Sequence, residues 1–410
     1  MAEHRGEVVV IGAGPAGIAA AERAAAYGRS VIVLDDNPEV GGQIWRGERE
    51  RLTRGDVRWI LGARVVDVVG ERALLVEGTG GGAERVVFEH LVLATGARER
   101  FLPFPGWTLP GVTGAGGLQA MVKGGLPIEG KRVVIAGSGP LLLAVAAYLR
   151  GRGARIAYIA EQAPWRRLAG FSLHLLCSVE KLRQALALRV ALAGVPYAAS
   201  TWPLAAEGEG NLERAVLRTS RGTVRIGCDY LACGFGLVPN LELARLLNCD
   251  VRDGFVAVDE HQRTSCAGIF AAGEVTGIGG LDLSLLEGEI AGCAAAGHES
   301  DAHRLVAQRP AARRFASALA EAFALRGELK ALPDAQTIVC RCEDVTYERL
   351  AEHTTSRSAK LHTRCGMGPC QGRVCGAAAE FLFGWTSDYA RPPVFPTRIA
   401  TLTAYHEVTT

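Results

Sequence analysis

The sequence predicts an α/β chain with two parallel-sheet units covered by helices and a small α-rich appendage at the C-terminal end. Three observations predict it. Val8-Val9-Val10-Ile11 and Val133-Val134-Ile135-Ala136 are unbroken apolar runs, and each meets a glycine turn and then a helix rich in alanine or leucine. Unbroken apolar strands belong to parallel sheets buried on both faces. Five of the eleven cysteines fall between residues 340 and 375, beyond a break in composition at Leu332-Pro333-Asp334.

In the first unit, Gly12-Ala13-Gly14-Pro15-Ala16-Gly17 has Gly-x-Gly-x-x-Gly spacing between strand and helix. Gly12 permits the tight turn, Gly14 lets a pyrophosphate approach the backbone, and Gly17 lets helix and strand pack closely. Amides at the helix N-terminus, after Pro15 and Ala16, receive the phosphates. The next strand, Ser30 to Leu34, ends at Asp35-Asp36, where an acidic residue binds ribose hydroxyls. Gly41-Gly42-Gln43 is a loop that allows close backbone approach. A strand containing Val65 follows, then a hairpin turn over Gly78 to Gly82, then the strand His90 to Leu93, which ends in Ala94-Thr95-Gly96. The alternative is a glycine-rich turn in an ordinary α/β protein; the strand before it and the acid beyond it argue for a dinucleotide.

The proline- and glycine-rich segment 101–117 is read as a linker between lobes. A second strand–turn–helix unit follows at Gly137-Ser138-Gly139-Pro140, and its next strand ends at Glu161. The third glycine position is Leu142, which pushes the helix from the strand or narrows the phosphate site. Gly137, Gly139 and Glu161 are candidate contacts, but a vestigial scaffold or another adenine nucleotide such as ATP fits better than NAD(P). The middle closes with strands near 215–226 and 230–239, then Gly268 to Gly273-Glu274 and a small-residue helix over Leu285 to Gly292.

At 410 residues with 49% hydrophobic content, the chain can build two or three cores. A formal net charge of +2 argues against nucleic acid or a membrane surface as partner. No apolar run reaches membrane-spanning length without a charge or a glycine break. The N-terminus enters the first strand directly, which predicts no signal peptide. An odd cysteine count crowded toward one end fits a reducing cytoplasm better than a disulfide framework. No Cys-x-x-Cys occurs, so a thioredoxin reductase-like dithiol is excluded. Cys177, Cys228, Cys233, Cys249, Cys266 and Cys293 are read as buried thiols, His174 as structural and His261 as part of a polar turn.

The cysteine-rich segment reads Cys340-Arg341-Cys342-Glu343, then Thr363-Arg364-Cys365-Gly366-Met367-Gly368-Pro369-Cys370-Gln371-Gly372-Arg373-Val374-Cys375. Structural zinc favours paired Cys-x₂₋₄-Cys knuckles, and Cys340-x-Cys342 is tighter than that. A [2Fe–2S] cluster needs four thiolates on loops whose amides face the sulfurs, and Gly366, Gly368, Gly372 and Gly376 supply such loops. Zinc, a cluster and an empty structural motif all remain open on spacing alone.

Over roughly the first 300 residues the layout resembles the flavoprotein disulfide reductase superfamily. That resemblance implies two Rossmann-like dinucleotide-binding domains, with FAD in the first, interrupted domain. Residues 1–118 with 255–300 would form the FAD domain, and 119–254 the second. Gly273-Glu274 stands where that family has a Gly-Asp turn beside the ribityl chain. The cysteine segment resembles the bacterioferritin-associated-ferredoxin-like [2Fe–2S] domain. This implies a domain over 334–385 with Cys340, Cys342, Cys370 and Cys375 as ligands and Cys365 at a variable position. A helical linker over 301–333 and a tail over 386–410 complete the division.

The full order, including Gly-Gly-Gln-Ile-Trp and Arg391-Pro392-Pro393, resembles the large (α) component of hetero-oligomeric FAD-dependent amino-acid dehydrogenases, among them opine oxidases and D-hydroxyproline dehydrogenase. The resemblance implies an amino-acid-oxidase-like, FAD-containing β subunit that oxidises the C–N bond. It also implies FMN at a subunit interface and a possible small ferredoxin-like subunit. No residue of this chain is then catalytic. A self-sufficient NAD(P)H-dependent reductase of an iron–sulfur partner is the alternative, and a nucleotide-sensing module without enzymatic activity a third.

Overall fold

The computed structural model describes residues 1–46, 56–175, 179–386 and 390–409. Cys177 lies outside them. The chain forms two compact units, one of residues 1–98, 239–317 and 388–410, the other of 99–238 and 318–387.

The first unit is built on a seven-stranded sheet with the order Val57–Leu61, Val31–Asp35, Ala2–Ile11, Ala83–Leu93, Ala73–Glu77, Arg64–Val68, to which Ile269–Ala271 adds beside Ala83–Leu93. The opening strand pairs in parallel with both neighbours, Val8 opposite Val31 and His90. Val8, Val9 and Val10 are completely buried, as an apolar run covered on both faces must be. Besides the opening strand, the long strand Ala83–Leu93 pairs with two others. Its first half joins the antiparallel meander through Ala73 to Glu77, and Leu91 to Leu93 pair in parallel with Ile269 to Ala271. The turn of residues 78–82 joins that meander, where glycine content predicted a hairpin.

The second unit has a five-stranded parallel sheet with the order Tyr197–Ala198, Arg155–Glu161, Arg132–Ser138, Tyr230–Phe235, Val112–Gly114. An antiparallel three-stranded meander over residues 202–227 accompanies it. Segment 101–117 is more than a linker: Leu102, Phe104 and Trp107 are buried in this unit's core, and Val112–Gly114 is its edge strand. Residues 99–118 therefore belong with the second sheet, while Leu241, Leu243, Ala244 and Cys249 are buried in the first core. These two changes of side move the crossovers from 118 and 254 to 98 and 238, because edge pairing and core burial decide membership.

The C-terminal lobe of the second unit is small. A hairpin of Ile338–Cys340 and Val345–Thr346 packs with helices Tyr347–Ala351, Ser356–Thr363 and Cys375–Phe383 around Val339, Val345, Leu350 and Ala378. Cys228, Cys233, Cys249 and Cys293 are buried as expected of apolar thiols, and Cys266 is half-buried. His174 is exposed on its helix, not packed.

One ion-pair network braces the first unit. Glu287 lies on the helix Gly280–Ala295 and is 0% exposed. It accepts from Arg309 at 3.2 Å and Arg313 at 2.9 Å, and from Thr276 Oγ1 at 2.6 Å and Gly273 N at 3.2 Å. Removing one partner of a buried pair leaves an uncompensated charge, at a cost of about 3–5 kcal/mol. Glu287→Ala should lower unfolding free energy by about that amount in urea titration. A loss within the range of an ordinary surface substitution would show that the network does not brace the unit.

Candidate functional site

The first glycine turn is constrained by contact as well as by conformation. Gly12 has φ +108°, and a Cβ there would stand 2.1 Å from Ala94 O. A Cβ at Gly17 would stand 1.8 Å from Gly12 O, which is why only glycine lets the helix Pro15–Ala26 start this close to the strand. The helix begins without a side-chain cap, so its first amides remain available to an anion.

Asp35 fixes that turn. Its Oδ2 accepts Ala13 N at 2.6 Å, and its Oδ1 accepts both Asn37 N and Asn37 Nδ2 at 2.7 Å. Asp36, beside it, is exposed and 3.5 Å from Arg64. Gly41 N donates to Ala13 O at 2.7 Å, which lays the Gly41-Gly42 loop against Gly14. Gln43 is exposed, and Val65 is buried in the core beneath.

The turn Ala94-Thr95-Gly96 is held by a residue that sequence reasoning did not single out. Asn240 donates its Nδ2 to Thr95 O, accepts Thr95 Oγ1 at its own carbonyl, and gives its N–H to Gly96 O. Its Oδ1 also accepts from Arg98 at 2.7 Å. Nothing local in the sequence marks this, because the partners are more than 140 residues apart. Gly273, at φ +80°, brings Glu274 to the sheet edge. Burial pushes the Glu274 carboxyl up, and no hydrogen bond to it occurs among the described residues. A half-buried acceptor next to Gly273 suits a hydroxyl-bearing ligand.

The second turn repeats the device. Gly139 N donates to Glu161 Oε2 and Ala163 N to Glu161 Oε1, both at 2.8 Å. A Cβ at Gly137 would stand 1.9 Å from Gly234 O. Leu142 is buried, and its helix, Leu141–Gly151, opens with three-residue bonds from Leu142 N to Gly139 O and from Leu143 N to Pro140 O. The first helix opens instead with Ile18 N to Gly14 O. Leu142 stands at this turn, where the first unit has Gly17.

The C-terminal lobe gathers five cysteine sulfurs. The Sγ atoms of Cys340, Cys365 and Cys375 lie within 4.8 Å of one another. Cys370 is linked to Cys375 and to Cys342 by thiol contacts. Hydrogen bonds from the Cys365 and Cys375 thiols hold Cys340 down to about 2, and the Cys375 thiol holds Cys370 down to about 5. Peptide N–H groups also face sulfur: those of Gly366 and Glu343 reach Cys340, and those of Val374 and Gly372 reach Cys370. A Cβ at Gly368 would stand 2.2 Å from Cys342 Cβ, so a glycine is required where the two loops meet. Cys340, Cys342, Cys370 and Cys375 line one cavity of about 340 Å³ with Trp107 and Arg341. Thiolates stabilised by amide donors are what an iron–sulfur cluster requires, and the donor set fits one.

Two dinucleotide-type turns on parallel sheets define an oxidoreductase of the flavoprotein type. The pyridine nucleotide-disulphide oxidoreductase family model matches residues 6–300, and the chain belongs to that family. It is similar to the hydrogen cyanide synthase component HcnB of Pseudomonas aeruginosa, with 32% identity over 93% of this chain and 92% of the relative. A subunit of opine oxidase from Rhizobium meliloti is 30% identical over 97% of this chain and 87% of the relative. Rhodocoxin reductase of Rhodococcus erythropolis is 30% identical over 65% of this chain and 64% of the relative. Among solved structures, L-proline dehydrogenase from P. horikoshii shares the fold with a TM-score of 0.69 at 19% identity, covering 98% of this chain and 80% of that one. Membership of this family supports FAD binding. No helix among the described residues is long and apolar enough to cross a membrane.

Two outcomes follow from the turns. Gly12→Ala should reduce flavin content by about tenfold or more, read as visible absorbance per protein, because the added carbon meets Ala94 O. Retained flavin would show that the first turn is not the binding site. Burial pushes the Glu161 carboxyl up to about 7 from 4.5. The folded state therefore holds the proton more tightly than the unfolded one. Stability from this group is fully present below pH 4.5 and is lost as pH rises through 7, by about 3 kcal/mol in all. Glu161→Gln should flatten that slope in unfolding titrations between pH 4.5 and 7.5; an unchanged slope would assign the effect elsewhere.

Proposed function

We propose that this chain is the electron-transfer subunit of a hetero-oligomeric, flavin-dependent amino-acid dehydrogenase acting on an opine, D-hydroxyproline or proline-like substrate. The observation that carries the reading is the thiol lobe: five cysteines drawn together, with peptide N–H groups aimed at the sulfurs of Cys340, Cys342 and Cys370, in a chain whose first glycine turn is built for a dinucleotide. Gly12, Gly14, Gly17, Asp35 and the Ala94-Thr95-Gly96 turn would hold FAD. Cys340, Cys342, Cys370 and Cys375 would hold a [2Fe–2S] cluster, with Cys365 packed behind Cys340 and Cys375. When bound, a flavin accepts an electron pair and releases electrons singly, and a cluster carries one at a time.

The chain's own residues bind and orient these groups. Asp35 and Asn240 hold the turns, and the amides of Gly366, Glu343, Val374 and Gly372 stabilise thiolate charge. Oxidation of the amino acid's C–N bond is assigned to an amino-acid-oxidase-like β subunit carrying its own FAD. An interfacial FMN and a small ferredoxin-like subunit are further components of this reading, in the cytoplasm. Relatives named as components of larger enzymes, matched over most of their length, support it.

A second reading, a NAD(P)H-dependent reductase of an iron–sulfur partner, draws support from the likeness to rhodocoxin reductase, which covers about two thirds of the chain. Purification with co-eluting partners separates the two. The complex should contain flavin, acid-labile sulfide and about two iron atoms per copy of this chain. Cys370→Ser should lose most of the iron while keeping its flavin. Turnover of amino acids with a dye acceptor should require the partner; robust turnover by this chain alone, or a complex free of iron, would sink the proposal.

A further inference from the structure

The second glycine turn is covered by the chain itself. Ser138, between Gly137 and Gly139, donates its hydroxyl to Phe323 O at 2.8 Å. Gln162, directly after Glu161, is fully buried. It donates to Ser138 Oγ at 2.8 Å and reaches the carbonyls of Phe323 and Ala324 at 3.4 and 3.3 Å, while its Oε1 accepts Arg326 N at 3.2 Å. Arg167 gives a further bond to Ala324 O at 3.1 Å. The Phe323 ring meets Phe171 edge-on at 5.5 Å, and the Arg326 guanidinium lies 4.9 Å over Trp202.

In a fold of this type the turn after the first strand takes the pyrophosphate, and the end of the second strand takes the ribose. Segment 323–326 bridges those two places. The chain then runs through Leu329 and Leu332, both buried in this unit's core, to Ile338, whose carbonyl accepts Trp107 Nε1 at 2.6 Å. Cys340 is two residues further on. Arg100 and Glu380, and Lys330 over the Phe381 ring, add charge and ring contacts between the sheet region and the lobe.

We propose that Phe323–Arg326 fills the crevice in which a nucleotide's ribose and pyrophosphate would lie, so that the second dinucleotide fold excludes NAD(P)(H) and serves as the mount of the thiol lobe. The side-chain donors of Ser138 and Gln162 are spent on peptide carbonyls of the segment, and displacing it leaves Gln162, a buried amide, with Ser138 Oγ alone. The helix opening points the same way, because the amides of Leu142 and Leu143, which would face the pyrophosphate, are bonded to Gly139 O and Pro140 O. The inference rests on this geometry alone and not on the electron-transfer assignment.

Hydrogen–deuterium exchange on the chain as purified, with NADH or NADPH added at about 1 mM, tests it. Peptides covering 323–328 and 137–142 should exchange slowly and be unchanged by either nucleotide. Gln162→Ala should speed exchange at the Arg326 amide by about tenfold or more, since its acceptor is gone. Ser138→Ala, a milder change, should speed it less and leave circular dichroism unaltered. Protection of 137–142 with release of 323–328 on adding NADH would overturn the proposal. So would exchange of 323–328 as fast as in an unstructured peptide, or indifference of Arg326 to Gln162→Ala in a folded protein. Iron-free protein would defeat the functional reading while leaving these outcomes as they stand.

Discussion

A carboxyl group at the end of the second strand, accepting an N–H from the glycine turn, holds that turn in both units. Asp35 takes Ala13 N, and Glu161 takes Gly139 N. In each case the second oxygen takes the N–H two residues further along the chain, from Asn37 or Ala163. Each bond satisfies a buried N–H of the turn and ties the turn to the end of the neighbouring strand. The second sheet places its acid one residue later relative to its first glycine. The register irregularity between Ile156 and Tyr158 absorbs that extra residue, so the two sites stay alike in contact while differing in sequence count.

From that shared device the two units diverge at one position. Gly17 lets the first helix approach until its backbone meets the turn, and the uncapped amides stay free. Leu142 is 1% exposed and packs among Val133, Ile135 and Val145, which gives the second helix an apolar anchor in place of a phosphate-facing turn. Once the helix is anchored that way, the polar groups of Ser138 and Gln162 need partners from elsewhere in the chain, because buried polar groups without bonds cost about 1–3 kcal/mol each. Segment 323–326 supplies them.

The sheet cores and the first turn are legible in the sequence, because an apolar run, glycine spacing and an acidic strand end are local patterns with local causes. The cysteine loops are legible for the same reason. What escapes is whatever depends on residues far apart in the chain. Asn240 looks like an ordinary turn residue until its four bonds to 95, 96 and 98 are seen. Glu287 sits in a run that reads as a small-residue helix, and only the fold brings Arg309 and Arg313 against it. Segment 101–117 shows proline and glycine to the reader of sequence, but Phe104 and Trp107 are core residues that happen to lie between turns. Composition describes the backbone's freedom there and says nothing of what the side chains bury.

The thiol lobe combines two opposing influences on charge. Cys340 and Cys375 are buried among Val339, Val345 and Leu350, and an apolar surround disfavours added negative charge. The peptide N–H groups of Gly366, Glu343, Val374 and Gly372 point at sulfur and favour it. Arg341, between two of the cysteines, lies 6.0 Å over the Trp107 ring, so its cation is held at the cavity that Cys342 and Cys370 also line. For a bound cluster, donors and a fixed cation raise the potential while burial lowers it. The buried pair and the exposed Cys342 therefore face different surroundings. Trp107, a residue of the second sheet's core, bonds Ile338 O and lines the same cavity, and so ties the lobe to the fold on which it is mounted.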